Sequence, residues 1–107
     1  ETLTLARAAA NGRLEQIYES CLPAEIQIIQ LDDWFFVGWP GEIFVEYALE
    51  IKRYSKNTFV ISLANGELQG YIPTRQAFEE GGYEASNALF SYSAGDLLVD
   101  KTLELLQ

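Results

Sequence analysis

The sequence predicts an α/β domain: a mixed sheet in which a β-hairpin feeds a βαβ unit, with an N-terminal and a C-terminal helix packed on it. A strand-like run, a helical stripe and a second strand-like run follow one another from Trp34 to Leu63. That is about thirty residues, the length of a βαβ unit with a parallel pair. An alternating segment, Glu25 to Leu31, stands just ahead of it across an Asp-Asp turn. Both ends of the chain carry apolar residues at helical spacing. At 107 residues, 49% of them hydrophobic, the chain has the length of one domain and enough apolar side chain for a core.

Glu1 to Cys21 reads as a helix, because Leu3, Ala6, Ala10, Leu14, Ile17, Tyr18 and Cys21 recur three and four residues apart. Asn11-Gly12 interrupts it and divides it in two, and Pro23 marks the exit. Glu25 to Leu31 alternates as a strand, Asp32-Asp33 turns, and Trp34 to Trp39 is continuously apolar and aromatic. Such a run predicts a second hairpin arm buried on both faces. Pro40-Gly41-Glu42 then leads into a helix with Ile43, Phe44, Tyr47, Ala48 and Ile51 on one side, and Thr58 to Leu63 is the next strand. Ala64 to Gly70 is a polar loop. Tyr71-Ile72-Pro73 is extended, since a residue before Pro leaves the α region. Thr74 caps a short helix over Arg75 to Glu80 that Gly81-Gly82 ends, and Tyr83 to Tyr92 reads as irregular. Asp96 to Gln107 closes the chain as an amphipathic helix on Leu97, Leu98, Thr102, Leu105 and Leu106. With no repeat and no linker, residues 1–107 read as a single domain.

Sixteen Asp and Glu against seven Lys and Arg give a charge of −9, with no basic stripe. Nucleic acid is therefore not an expected partner, and anionic lipid is not one on electrostatic grounds. No apolar run has the length of a membrane span, about 18 residues or more. A single cysteine excludes an internal disulfide. The absence of His removes the commonest general base and metal ligand, so a self-contained His triad or His-based zinc enzyme is excluded. There is no Met, even at position 1, so either a processed or excised piece or a start outside the given sequence is expected.

Glu42 is the first candidate. It follows Pro-Gly where an apolar strand meets a helix, the sheet edge at which open α/β folds place ligands. It reads either as a metal-binding or acid/base carboxylate, or as a first-turn Glu that favours the helix N-terminus. Tyr71 ends the loop from Asn65, which a βαβ unit brings out at the same edge. Its phenol can ligate a metal, donate a hydrogen bond, or pack. Glu67 in that loop reads as facing water. Tyr83 and Glu84 follow the Gly81-Gly82 pair as a second phenol-bearing turn. No phosphate-binding glycine pattern occurs. Cys21 reads as an inert buried thiol on the apolar side of the first helix, and Ser86, Ser91 and Ser93 have no base in this chain to activate them.

Four motifs stand in order: Gly38-Trp39-Pro40-Gly41-Glu42, Leu63-Ala64-Asn65, Tyr71-Ile72-Pro73-Thr74 and Tyr83-Glu84-Ala85-Ser86. The series resembles the C-terminal part of the catalytic domain of the neutral/alkaline, non-lysosomal ceramidase family, in its shorter bacterial relatives, over Glu25 to Gln107. The resemblance implies a zinc centre with Glu42 and Tyr71 as ligands, and Tyr83 as a hydrogen-bond donor near the scissile amide. It also implies hydrolysis of an N-acyl amide such as ceramide, with the two His ligands and the serine supplied from upstream. The chain alone is then expected to hold no zinc and to be inactive. Its partner is the missing part of its own domain or a second copy, packed on an exposed apolar surface. The competing expectation is a non-catalytic, acidic interaction module in which Glu42 only caps its helix.

Overall fold

The computed structural model of the chain describes residues 7, 9–66, 68 and 70–107. Leu3 and Ala6 of the expected first helix, and Glu67, lie outside them. The element order is α1 (Leu14–Cys21), β1 (Gln27–Leu31), β2 (Trp34–Gly38), β3 (Glu42–Ile43), α2 (Val45–Tyr54), β4 (Thr58–Ile61), β5 (Tyr71–Ile72), α3 (Arg75–Glu80), α4 (Tyr83–Ser86) and α5 (Ser93–Leu106). Arg7, Ala9 and Ala10 are helical, Asn11-Gly12 turns, and α1 begins two residues later, so the expected division is present. In α1, Leu14, Ile17, Tyr18 and Cys21 are half-buried and the other four residues exposed. The Tyr18 hydroxyl donates to the Leu89 carbonyl, and its ring meets Phe90 edge to face.

β1 and β2 form the hairpin, closed by Asp32 in the left-handed conformation (φ 53°), which Asp tolerates better than most residues. β4 joins β2 in parallel, with Val37 opposite Val60 and α2 as the crossover, giving a mixed sheet in the order β1–β2–β4. Val37, Trp39, Ile43, Tyr47, Ile51, Leu68, Ile72, Leu98 and Val99 form the core. The Trp39 indole N–H donates to the Thr102 hydroxyl (2.9 Å), which donates to the Leu98 carbonyl (2.7 Å), tying the end of β2 to α5. Helices α2 and α5 meet at Gly95, where any Cβ would overlap the Tyr47 ring.

Three expectations are corrected. β2 is buried on one face only: the cross-strand sets Ile29–Phe36–Phe59, Leu31–Trp34 and Gly38–Ile61 lie opposite the Val37 side, where Ile29, Leu31, Trp34, Phe59 and Ile61 are exposed and Lys52 reaches over the Phe59 ring. Trp34 and Phe59 are each 46% exposed there, stacked on one another with Phe36 completing the row. A second correction concerns Tyr83 to Tyr92, which contains a helical turn, Tyr83–Ser86. Finally, α5 starts at Ser93 and buries Gly95, Leu98, Val99 and Thr102, whereas Leu97 and Leu105 are exposed. The Tyr47 ring against Gly95 sets that helical face. No described helix is long and apolar enough to cross a membrane.

Candidate functional site

Trp39-Pro40-Gly41 carries the chain from β2 to β3, and the loop after β4 folds back onto this corner. The Ala64 N–H donates to the Trp39 carbonyl (3.0 Å), that of Leu63 to Gly41 (3.1 Å) and that of Leu68 to Pro40 (3.3 Å). The loop leading to Tyr71 thus leaves the sheet at the edge where Glu42 stands. β5 then pairs with β3 in parallel as a separate two-stranded ribbon, Glu42 opposite Tyr71 and Ile43 opposite Ile72. Paired residues share a face, and successive residues alternate between faces. Ile43 and Ile72 are buried in the core, so Glu42 and Tyr71, both half-buried, stand side by side on the other face.

The ring of Tyr83, on α4, meets that of Tyr71 edge to face, with centroids 5.9 Å apart and planes at 70°. All three candidate side chains therefore come together, Glu42 beside Tyr71 and Tyr71 against Tyr83. Glu42 is not in the first turn of a helix, because α2 begins at Val45 and its first-turn acid is Glu46. Among the described residues its carboxylate enters neither ion pair, Arg75–Glu79 or Lys101–Glu104.

Two supports hold the ribbon. The buried Tyr47 hydroxyl donates to the Pro73 carbonyl (3.0 Å), bracing the residue after β5. Burial, then the charges of Asp96, Glu46 and Glu50, push that phenol above its ordinary pKa. On the other side the Tyr71 N–H donates to the carbonyl of fully buried Asn87 (3.2 Å). Gly70 makes this approach possible, since it lies at φ 77° and a Cβ there would overlap that carbonyl oxygen. Asn87 went unremarked in the sequence: a lone Asn in an irregular stretch gives no signal, and only its tertiary contacts single it out. Thr74 caps α3 as expected, its hydroxyl accepting from the Ala77 N–H (3.2 Å), and Gly81 ends that helix.

The remaining candidates make local bonds of their own. Cys21 is half-buried, its thiol against the Tyr18 carbonyl (3.7 Å). The Ser86 hydroxyl donates to the Gly82 carbonyl (2.7 Å), and Ser91 and Ser93 bond to each other (2.6 Å). A catalytic zinc site needs several protein ligands and keeps a further position open. Among the described residues no three His, Cys, Asp or Glu are grouped to hold a metal, and the chain has no His. Glu42 and Tyr71, a carboxylate and a phenol on one face, fit part of an oxygen-donor set but do not complete one. Comparison with protein-family models, with curated proteins and with solved structures finds no match for this chain.

Proposed function

We propose that this chain is the C-terminal part of a ceramidase-like zinc amidohydrolase, inactive alone, in which Glu42 and Tyr71 are metal ligands and Tyr83 is a hydrogen-bond donor to the substrate. One observation carries the reading: Glu42 and Tyr71 are register partners on the outward face of a parallel ribbon, with the Tyr83 ring set against Tyr71. Three residues far apart in the sequence, singled out by one family resemblance, meet at one place.

The chemistry of the three suits the roles. Glu42 brings a pair of carboxyl oxygens. Tyr71 must lose its proton to ligate, which a divalent cation favours by its own charge. The Tyr83 hydroxyl can donate to an amide carbonyl whose oxygen gains charge during attack. Zinc, when bound, polarises such a carbonyl and acidifies a bound water. The two His ligands and the nucleophile belong to residues upstream of this chain, and an N-acyl amide such as ceramide is the substrate.

The test is zinc content by elemental mass spectrometry on the longest protein that the source encodes. The wild type is expected to carry about one zinc per chain. Glu42→Gln and Tyr71→Phe are expected to lose most of it, while Tyr83→Phe keeps its zinc and loses amide hydrolysis. Absence of zinc from the wild type overturns the reading.

The bare aromatic face of the β1–β2–β4 sheet, where the missing part would pack under this reading, serves equally as the docking face of a second reading, a non-catalytic interaction module. Under that reading neither zinc nor amidase activity is found, and substitution of Phe59 abolishes association with the partner.

A further inference from the structure

We infer that Asn87 is the positioning residue of this site, fixing the Tyr83 phenol against the Tyr71 phenol. Its peptide carbonyl accepts from the Tyr71 N–H (3.2 Å), so it grips the strand that carries the first phenol. Its side-chain amide donates to the Tyr83 carbonyl (2.8 Å), so it also grips the turn that carries the second. Its own N–H donates to the carbonyls of Tyr83 and Glu84 (3.1 and 3.2 Å). One buried residue thus bridges both halves of the phenol pair, and Gly70, bridged to Ala88, lets the two segments close on it.

Tyr83 needs such an anchor. It follows two glycines, both at positive φ, and no atom beyond the adjoining residues lies within 4 Å of where a Cβ on either would sit. The turn that carries it is four residues long, too short to hold itself as a helix. The requirement on residue 87 is chemical as well as steric. Its side-chain partner is the Tyr83 carbonyl, to which the residue 87 backbone N–H already donates, so the side-chain amide adds a second donor there, and an ionised Asp of the same shape adds none.

The catalytic consequence of this placement rests on the function proposed above, but the placement itself does not. The test uses the longest encoded protein with ring-labelled tyrosine, read by the nuclear Overhauser effect between the Tyr71 and Tyr83 rings. The Trp39 indole N–H resonance reports the core. The wild type is expected to show the ring contact, and Asn87→Ala to lose it with the Trp39 signal unmoved. Asn87→Asp is expected to lack the contact at neutral pH. It should regain it as pH falls through the carboxyl's range, which burial raises, because the protonated acid again donates to the Tyr83 carbonyl. With an amide substrate, Asn87→Ala should lower kcat about tenfold, leaving KM and zinc content unchanged. Persistence of the ring contact in Asn87→Ala overturns the inference. So does loss of both ring contact and Trp39 signal in the two variants without recovery at low pH, which would make Asn87 a folding residue. A zinc-free wild type whose ring contact still depends on residue 87 would remove the proposed reaction and leave the positioning role standing.

Discussion

The β3–β5 ribbon and the β1–β2–β4 sheet bury similar inner faces and present different outer ones. The ribbon packs Ile43 and Ile72 inward and turns Glu42 and Tyr71 outward. The sheet packs Val37 and Val60 inward, yet its outer face carries Ile29, Leu31, Trp34, Phe36, Phe59 and Ile61. A short ribbon with one apolar and one polar face is complete in water. A sheet with a parallel pair that is apolar on both faces is of the kind that other folds cover on both sides. The difference separates a surface suited to chemistry from a surface suited to contact.

Substitutions can break that contrast. The largest effect is expected on the inner side of the ribbon. Ile72 is 1% exposed, and Ile72→Ala should cost about 3 kcal/mol in denaturant unfolding. Next comes Tyr47→Phe, at about 1–1.5 kcal/mol, since the Pro73 carbonyl loses its donor. This pair also has a pH signature. The folded-state pKa of Tyr47 is raised, so its contribution is fully present below about pH 10, the ordinary phenol value, and is lost as pH rises through the folded value. The wild type should therefore lose more stability than Tyr47→Phe on alkaline titration. The smallest effect is expected on the bare face. Phe59→Thr should cost about 1 kcal/mol, because partial burial, its ring contacts with Trp34 and Phe36 and the Lys52 ammonium over its ring are lost from an exposed site. It should also reduce binding of a hydrophobic dye. A cost for Phe59→Thr as large as that for Ile72→Ala would erase the contrast and make the outer face part of the core.

Much of this was legible in the sequence, for physical reasons. The hairpin, the parallel strand pair, the α2 crossover and the Thr74 cap all rest on local periodicity or on one side chain bonding to nearby backbone. The meeting of Glu42 and Tyr71 followed from the edge at which a crossover returns the chain. The ribbon itself was hidden, because strands of two residues are too short to show an alternation, and Ile43 was read into the helix that starts at Val45. The bare sheet face was hidden for another reason. A continuous apolar run such as Trp34 to Val37 fits a strand buried on both sides, but burial depends on what lies over it. Gly95 discourages a helix by its own propensity, and the Tyr47 ring packed on it overrides that preference.

The most direct test of the central claim is to locate the metal by anomalous diffraction at the zinc edge, in crystals of the longest encoded protein. The account predicts zinc about 2.0–2.2 Å from a Glu42 carboxylate oxygen, with the Tyr71 phenol oxygen in the same coordination shell and Tyr83 beside it. Zinc held without Glu42 and Tyr71 would contradict it.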